Sequence, residues 1–251
     1  EATEVWLTTN SGTVIQAHVL AYDQISGFGL LQALGQLGVP PLERGNSADS
    51  QVGEPVIFAG HGGPTRALAA RMADKREFAG YWEYVLDMAL FTTPAYPLWG
   101  GAAVIGRDGK LQGLGSLYIQ DVEAGAPREG NMAIPVELLE PILADMTTFG
   151  QVQAQPRPWM GLFANESSHH AVVMGVAESG PADLAGIESG DIIVDVAGKP
   201  VNGLADFFRT VWRQGAAGVE VQITVLREED YLRFAVITMD RNELLLKPAM
   251  H

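Results

Sequence analysis

The sequence predicts a mainly β protein of two domains, and three observations lead there. Asp108-Gly109 lies between apolar runs. That is a two-residue hairpin signal, because Gly accepts the positive φ that a type I′ turn demands. Short runs rich in β-branched and apolar residues recur along the chain, among them 5–9, 13–22, 102–105 and 111–119. Finally, an apolar stripe at helical spacing (Val136, Leu138, Leu139, Ile142, Leu143, Met146) closes at Gly150, and residues 151–158, with two prolines, read as a linker after which the composition restarts. The expected division is therefore 1–150, a linker at 151–158, and 159–251.

Composition narrows the functional classes. The chain has 251 residues, 47% hydrophobic and 18% charged, which suits a folded protein of one or two domains. Its net charge of −14, with no basic run, argues against nucleic acid or an anionic membrane surface as partner. No apolar stretch has the length of a membrane span. The N-terminal Glu1-Ala2-Thr3-Glu4-Val5-Trp6 lacks the basic start and apolar core of a signal peptide, so any export signal is expected to have been removed. The absence of cysteine excludes disulfides, thiol catalysis and thiolate metal sites.

In chain order, Val5-Trp6-Leu7-Thr8-Thr9 is strand-like, Asn10-Ser11-Gly12 supplies turn residues, and 13–22 reads as the returning strand. Residues 51–60 contain a further strand. Residues 75–88 read as a strand pair carrying Phe78, Tyr81, Trp82 and Tyr84. Glu83 and Asp87, four apart, read as a solvated face. Pro135 suits a first helical position. Beyond the linker, strands are expected at 171–177, 219–227 and 231–239, with a helix at 204–214.

The run Ala95-Tyr96-Pro97-Leu98-Trp99-Gly100-Gly101-Ala102-Ala103-Val104-Ile105, followed by its Asp-Gly turn and second strand, resembles the serine-bearing segment of trypsin-like proteases of the HtrA (DegP/DegQ) family. That segment reads Asn-Pro-Gly-Asn-Ser-Gly-Gly-Pro-Leu-Val before a hairpin. Gln51-Val52-Gly53-Glu54-Pro55-Val56 and Asn131-Met132-Ala133-Ile134-Pro135 resemble two further landmarks of that family. In the second half, Gly180-Pro181-Ala182, then Ala185-Gly186-Ile187 and Gly190-Asp191, closely resemble a PDZ domain of the HtrA type. The resemblance implies a trypsin-like double β-barrel, its first barrel N-terminally incomplete, joined to a PDZ domain of two helices on a partly open barrel. It places Glu1 just after the family's triad histidine, which is expected upstream.

Laid on this family, the catalytic positions are degenerate. The serine falls on Trp99, the triad aspartate on Gly27, and one oxyanion donor on Pro97, which has no N–H. An indole cannot attack a carbonyl, and acyl transfer needs nucleophile, base, orienting acid and donors together. A replacement triad from His18 or His61 with Ser26, Ser116, Asp23 or Asp87 has little support, because His18 sits in an alternating strand pattern and His61 between glycines. Glu166, His169 and His170 invite a metal reading. Adjacent histidines on a strand point to opposite faces and a full ligand set is lacking, so no metal or other cofactor is expected.

The PDZ half offers recognition. Such a domain adds an extended C-terminal peptide to an open sheet edge and holds its carboxylate on the backbone N–H groups of a turn. By the resemblance that turn falls on Met160-Gly161-Leu162-Phe163, and Leu204, Phe207, Phe208 and Val211 are expected beside it in the groove. Arg157 is a candidate to assist the carboxylate. The leading expectation is a pseudoprotease of protein quality control that binds C-terminal or unfolded peptides. The resemblance also implies a bacterial periplasmic location, trimers, and docking onto an active family member. Two other readings stay open: an active endopeptidase whose catalytic residues lie upstream or are misaligned, and an assembly subunit with a non-binding PDZ.

Overall fold

A computed structural model describes residues 4–123 and 128–244. It divides into two units: Glu1–Glu77 with Leu86–Gln153, and Phe78–Val85 with Ala154–His251. The short stretch Phe78–Val85 therefore belongs with the second unit, although the sequence places it within the first half of the chain.

In the first unit, β1 (Val5–Thr8), β2 (Val14–Tyr22) and β3 (Gly29–Ala33) form an antiparallel three-stranded sheet. A closed barrel follows, from β4 (Pro55–Ala59), β5 (Ala67–Gly80), β6 (Tyr84–Thr93), β7 (Ala103–Ile105), β8 (Leu111–Ile119) and β9 (Gly130–Pro135), in the order β4-β5-β6-β9-β8-β7. Alternating inward side chains fill it: Phe58, Met72, Leu90, Val104 and Ala133 are fully buried, and Phe58 stacks on Tyr96 with ring centroids 5.2 Å apart. The Asp108-Gly109 turn joins β7 to β8, with Gly109 at φ 79°.

The helix after β9 starts later than the sequence indicates. Pro135 is the last residue of β9, Val136–Leu139 is a 3₁₀ turn, and α1 runs Glu140–Phe149. Pro141, rather than Pro135, takes the first-turn place where a missing N–H costs nothing. Gly150, at φ 71°, closes the helix in the left-handed conformation that favours glycine.

The second unit is a sheet of β10 (Leu162–Ser167), β11 (His170–Val176), β12 (Ile192–Val196), β14 (Glu220–Arg227) and β15 (Asp230–Ile237), in the order β10-β11-β12-β14-β15, with the short β13 (Lys199–Pro200) on β12. Strand β10 is thus an edge. Helices α2 (Pro181–Ala185) and α3 (Gly203–Trp212) complete the unit. The core gathers Met160, Leu162, Ile193, Leu204, Phe207, Phe208, Val211 and Val236, joined by Val85.

Asp191, from the Gly-Asp pair of the sequence motif, is fully buried. Its Oδ1 and Oδ2 accept from Arg227 Nε at 2.7 Å and Nη2 at 2.8 Å, and Oδ2 also accepts from the Glu188 backbone N–H at 3.0 Å. Burial pushes this carboxyl up, but the Arg227 and Glu188 hydrogen bonds outweigh it and hold Asp191 below the usual carboxylate range. Removing one partner of such a pair strands a charge. Arg227→Ala is expected to lower stability by about 3 kcal/mol or more in urea unfolding; a loss below about 1 kcal/mol, the scale of an exposed pair, would contradict this account.

Candidate functional site

The loop that the resemblance assigns to the nucleophile is built around Tyr96. Its backbone N–H donates to Asn131 Oδ1 at 2.6 Å, Asn131 Nδ2 returns a bond to Tyr96 O at 3.3 Å, and Asn131 is fully buried. The Tyr96 hydroxyl donates to Arg66 O at 2.7 Å and accepts from Gly60 N at 3.1 Å. Trp99 packs, half-buried, against the barrel core. Its carbonyl accepts from Ala102 N at 3.0 Å, while Gly101, at φ 73°, donates to Gly115 O at 2.8 Å. A Cβ at Gly115 would lie 2.2 Å from Trp99 O, so the strand and the loop approach as closely as only glycine allows. The loop is therefore held by the Asn131 and Tyr96 side chains and by its own backbone bonds.

Gly27, at φ 83°, closes a turn in which its N–H bonds Asp23 O and Asp23 Oδ2 accepts from Ser26 N at 2.8 Å. His18, on β2, and His61, after β4, are both exposed. Glu166 caps α3, its Oε2 accepting from Leu204 N at 3.0 Å, and His170 Nδ1 pairs with Ser168 O at 2.8 Å.

The second unit holds a completed site. Gly161, at φ 76°, turns the backbone so that three successive N–H groups face one point. That point is the Glu83 carboxylate. Oε1 accepts from Met160 N at 3.2 Å, Gly161 N at 2.7 Å and Leu162 N at 2.9 Å, and Oε2 also accepts from Met160 N at 3.2 Å. Two residues further along the edge, Ala164 N donates to Tyr81 O at 2.9 Å, and the Tyr81 and Phe163 rings lie 6.2 Å apart. Arg241 Nη1 donates to Trp82 O at 3.1 Å. Burial pushes the Glu83 carboxyl up to about 7, against the pull of the Leu162, Met160 and Gly161 hydrogen bonds and of the Arg241 charge.

Leu162, Leu204, Phe207, Phe208 and Val211 share one buried cluster with Met160 and Val85. Helix α3 starts one residue before and ends two before the expected span, within the usual uncertainty of helix ends. Arg157 lies over the Trp212 ring at 4.4 Å, and the cation whose charge reaches Glu83 is Arg241. Sequence reasoning missed Glu83 by taking it for a solvated face; it is 9% exposed. A signal was available in its neighbours. Phe78, Tyr81, Trp82 and Tyr84, which flank it in sequence, make ring contacts with one another, too apolar a neighbourhood for a solvated carboxylate.

These two elements, a trypsin-like barrel and a sheet edge headed by a three-donor turn, define the class of protein. The trypsin-like peptidase domain family matches residues 1–114 and the PDZ domain family matches residues 158–238. The chain belongs to the HtrA/DegP-like, trypsin-like serine protease family with a C-terminal PDZ domain.

Among its relatives, serine protease Do-like HtrB of Bacillus subtilis is 26% identical over 90% of this chain and 54% of its own length. Serine protease Do-like HtrA of the same organism is 22% identical over 90% and 55%. A probable periplasmic serine endoprotease, DegP-like, of Pseudomonas fulva is 24% identical over 97% and 52%. The chain thus spans about half the length of the curated relatives it matches. Among solved structures, the HtrA-type protease AlgW with decapeptide shares the fold at TM-score 0.58 and 18% identity, over 96% of this chain and 76% of that one.

The buried carboxyl makes stability depend on pH. Seated Glu83 keeps its proton up to about pH 7, whereas an unfolded glutamate releases it near ~4.3. Between those values the folded chain binds more protons. The contribution of this group is therefore complete below about pH 4 and is lost as pH rises through about 7. The stability difference between the unchanged chain and Glu83→Gln, from denaturant midpoints, is expected to fall between about pH 5 and about pH 8; a flat difference would contradict the assignment.

Proposed function

We propose that this chain is a non-catalytic member of the HtrA type whose working part is the carboxylate-holding edge of its PDZ domain. The observation that carries the reading is the turn Met160-Gly161-Leu162, whose three N–H groups already hold one carboxylate. Any ligand ending in a free carboxylate offers the same acceptor, and strand addition along β10 supplies the remaining backbone bonds. The ligands proposed are therefore C-terminal peptides, including those exposed on unfolded proteins. Support also comes from AlgW, which was solved with a decapeptide.

The absence of catalysis is proposed on chemical grounds. The place assigned to the serine is Trp99, the position two before it is Pro97, which has no N–H for an oxyanion, and the place assigned to the orienting acid is Gly27. Self-association or docking onto an active family protease, and an address in the periplasm, are proposed from the family; several relatives are named periplasmic. Among the described residues no helix is long and apolar enough to cross a membrane. The relatives named serine proteases favour a second reading, an active endopeptidase.

Two measurements separate the readings. Incubated with casein and a serine-directed fluorophosphonate, the chain is expected to leave casein intact and to take no label; a labelled serine would establish the second reading. Binding of carboxylate-terminated peptides, read by fluorescence anisotropy, is expected to weaken at least ~tenfold in Gly161→Val, because a β-branched residue is strained at φ 76° and its Cβ would crowd Trp159 at 3.1 Å and Ala177 at 3.2 Å. Unchanged binding in a folded variant would remove the turn from the site.

A further inference from the structure

We propose that the β5–β6 turn, Tyr81-Trp82-Glu83, is an internal ligand of the β10 edge, so that Glu83 and an incoming peptide carboxylate exclude one another and recognition requires the turn to leave. The inference rests on the reading of Met160-Gly161-Leu162 as a carboxylate receptor.

The spacing of one side-chain and one backbone contact supports it. Stepping back two residues, from Glu83 to Tyr81, advances the contact two residues, from Leu162 N to Ala164 N. That is the step of an antiparallel strand added to an edge, on which alternate residues present their N–H groups outward. Phe163, between those two, pairs inward with Gly175 of β11. The turn thus follows the path a bound peptide would take. It differs in one atom group: a chain that continues into β6 has no terminal carboxylate, and the side chain of Glu83 supplies one instead.

The apolar part of the site is filled as well. Val85, 8% exposed, belongs to the same buried cluster as Leu162, Leu204, Phe207 and Val211, and Ala79 packs against that cluster. Gly80 allows the turn to fold tightly, since a Cβ there would lie 2.8 Å from the Trp82 ring. Arg241, lying over Trp159 at 6.0 Å, fastens the turn through Trp82 O.

The seated turn also carries costs that a free peptide end does not. Glu83 is held at φ 59°, a left-handed conformation that strains a non-glycine residue. Its carboxyl is largely removed from water, the residue being 9% exposed. These costs leave the turn displaceable by a ligand that meets the same donors without strain.

The test uses a labelled pentapeptide, Ala-Gly-Tyr-Trp-Val, with a free C-terminal carboxylate, and its C-terminal amide as control. Anisotropy titrations compare the unchanged chain with Glu83→Ala and Glu83→Gln. With the receptor open in only about 1–10% of unchanged molecules, both variants are expected to bind about ten- to a hundredfold tighter. The amide should bind none of the three. Glu83→Gln, close in shape to glutamate, carries the test if Glu83→Ala fails to fold. A peptide that binds all three chains equally would overturn the exclusion while leaving the receptor reading intact. A peptide that binds none of them would overturn the receptor reading and this inference with it.

Discussion

A turn that aims three successive backbone N–H groups at one point has to be given an acceptor, because buried donors left without one cost free energy comparable to a lost hydrogen bond each. In this chain Gly161 creates that demand by adopting φ 76°, and the carboxylate of Glu83 meets it. Much of the second unit follows. The Glu83 side chain reaches the donors because the chain bends back over Gly80, the bend is held by stacked aromatic rings, and Arg241 ties its middle carbonyl. The carboxyl is kept near the boundary between its two protonation states by opposing forces, burial on one side and donors on the other.

The loop at Trp99 presents the opposite case, an arrangement precise in backbone and poor in reactive groups. Buried Asn131 grips both the N–H and the carbonyl of Tyr96, and the Tyr96 hydroxyl bridges Gly60 and Arg66. The glycines at 101 and 115 bring strand and loop into close approach. These constraints hold the loop in shape whether or not chemistry follows.

Much of this was legible in the residues. The Asp108-Gly109 hairpin follows from local rules, with glycine where φ is positive, while the turn at Gly161 was placed by the family resemblance. Glu83 was not legible, because spacing along a strand says which face a side chain takes but not whether a distant turn covers that face. Its partners lie nearly eighty residues away in sequence. Arg157 was a candidate to assist a peptide carboxylate. It lies next to the donor turn in sequence, but its guanidinium stacks on Trp212, while Arg241, far along the chain, supplies the nearby charge. Pro135 was a good helix starter on paper, but the strand β9 claimed it and Pro141 took the first turn instead.

Strand β10 lies at the margin of its sheet, and such margins are templates on which any extended segment can polymerise. While the Tyr81 carbonyl sits on Ala164 N, part of that template is shielded. Freeing the turn bares a row of donors that cannot distinguish a client from a neighbouring copy. The exposed Glu166 further along the strand, together with a net charge of −14, supplies repulsion between such copies. The acidity of the chain thus acts as a guard for an adhesive surface that is bared only part of the time.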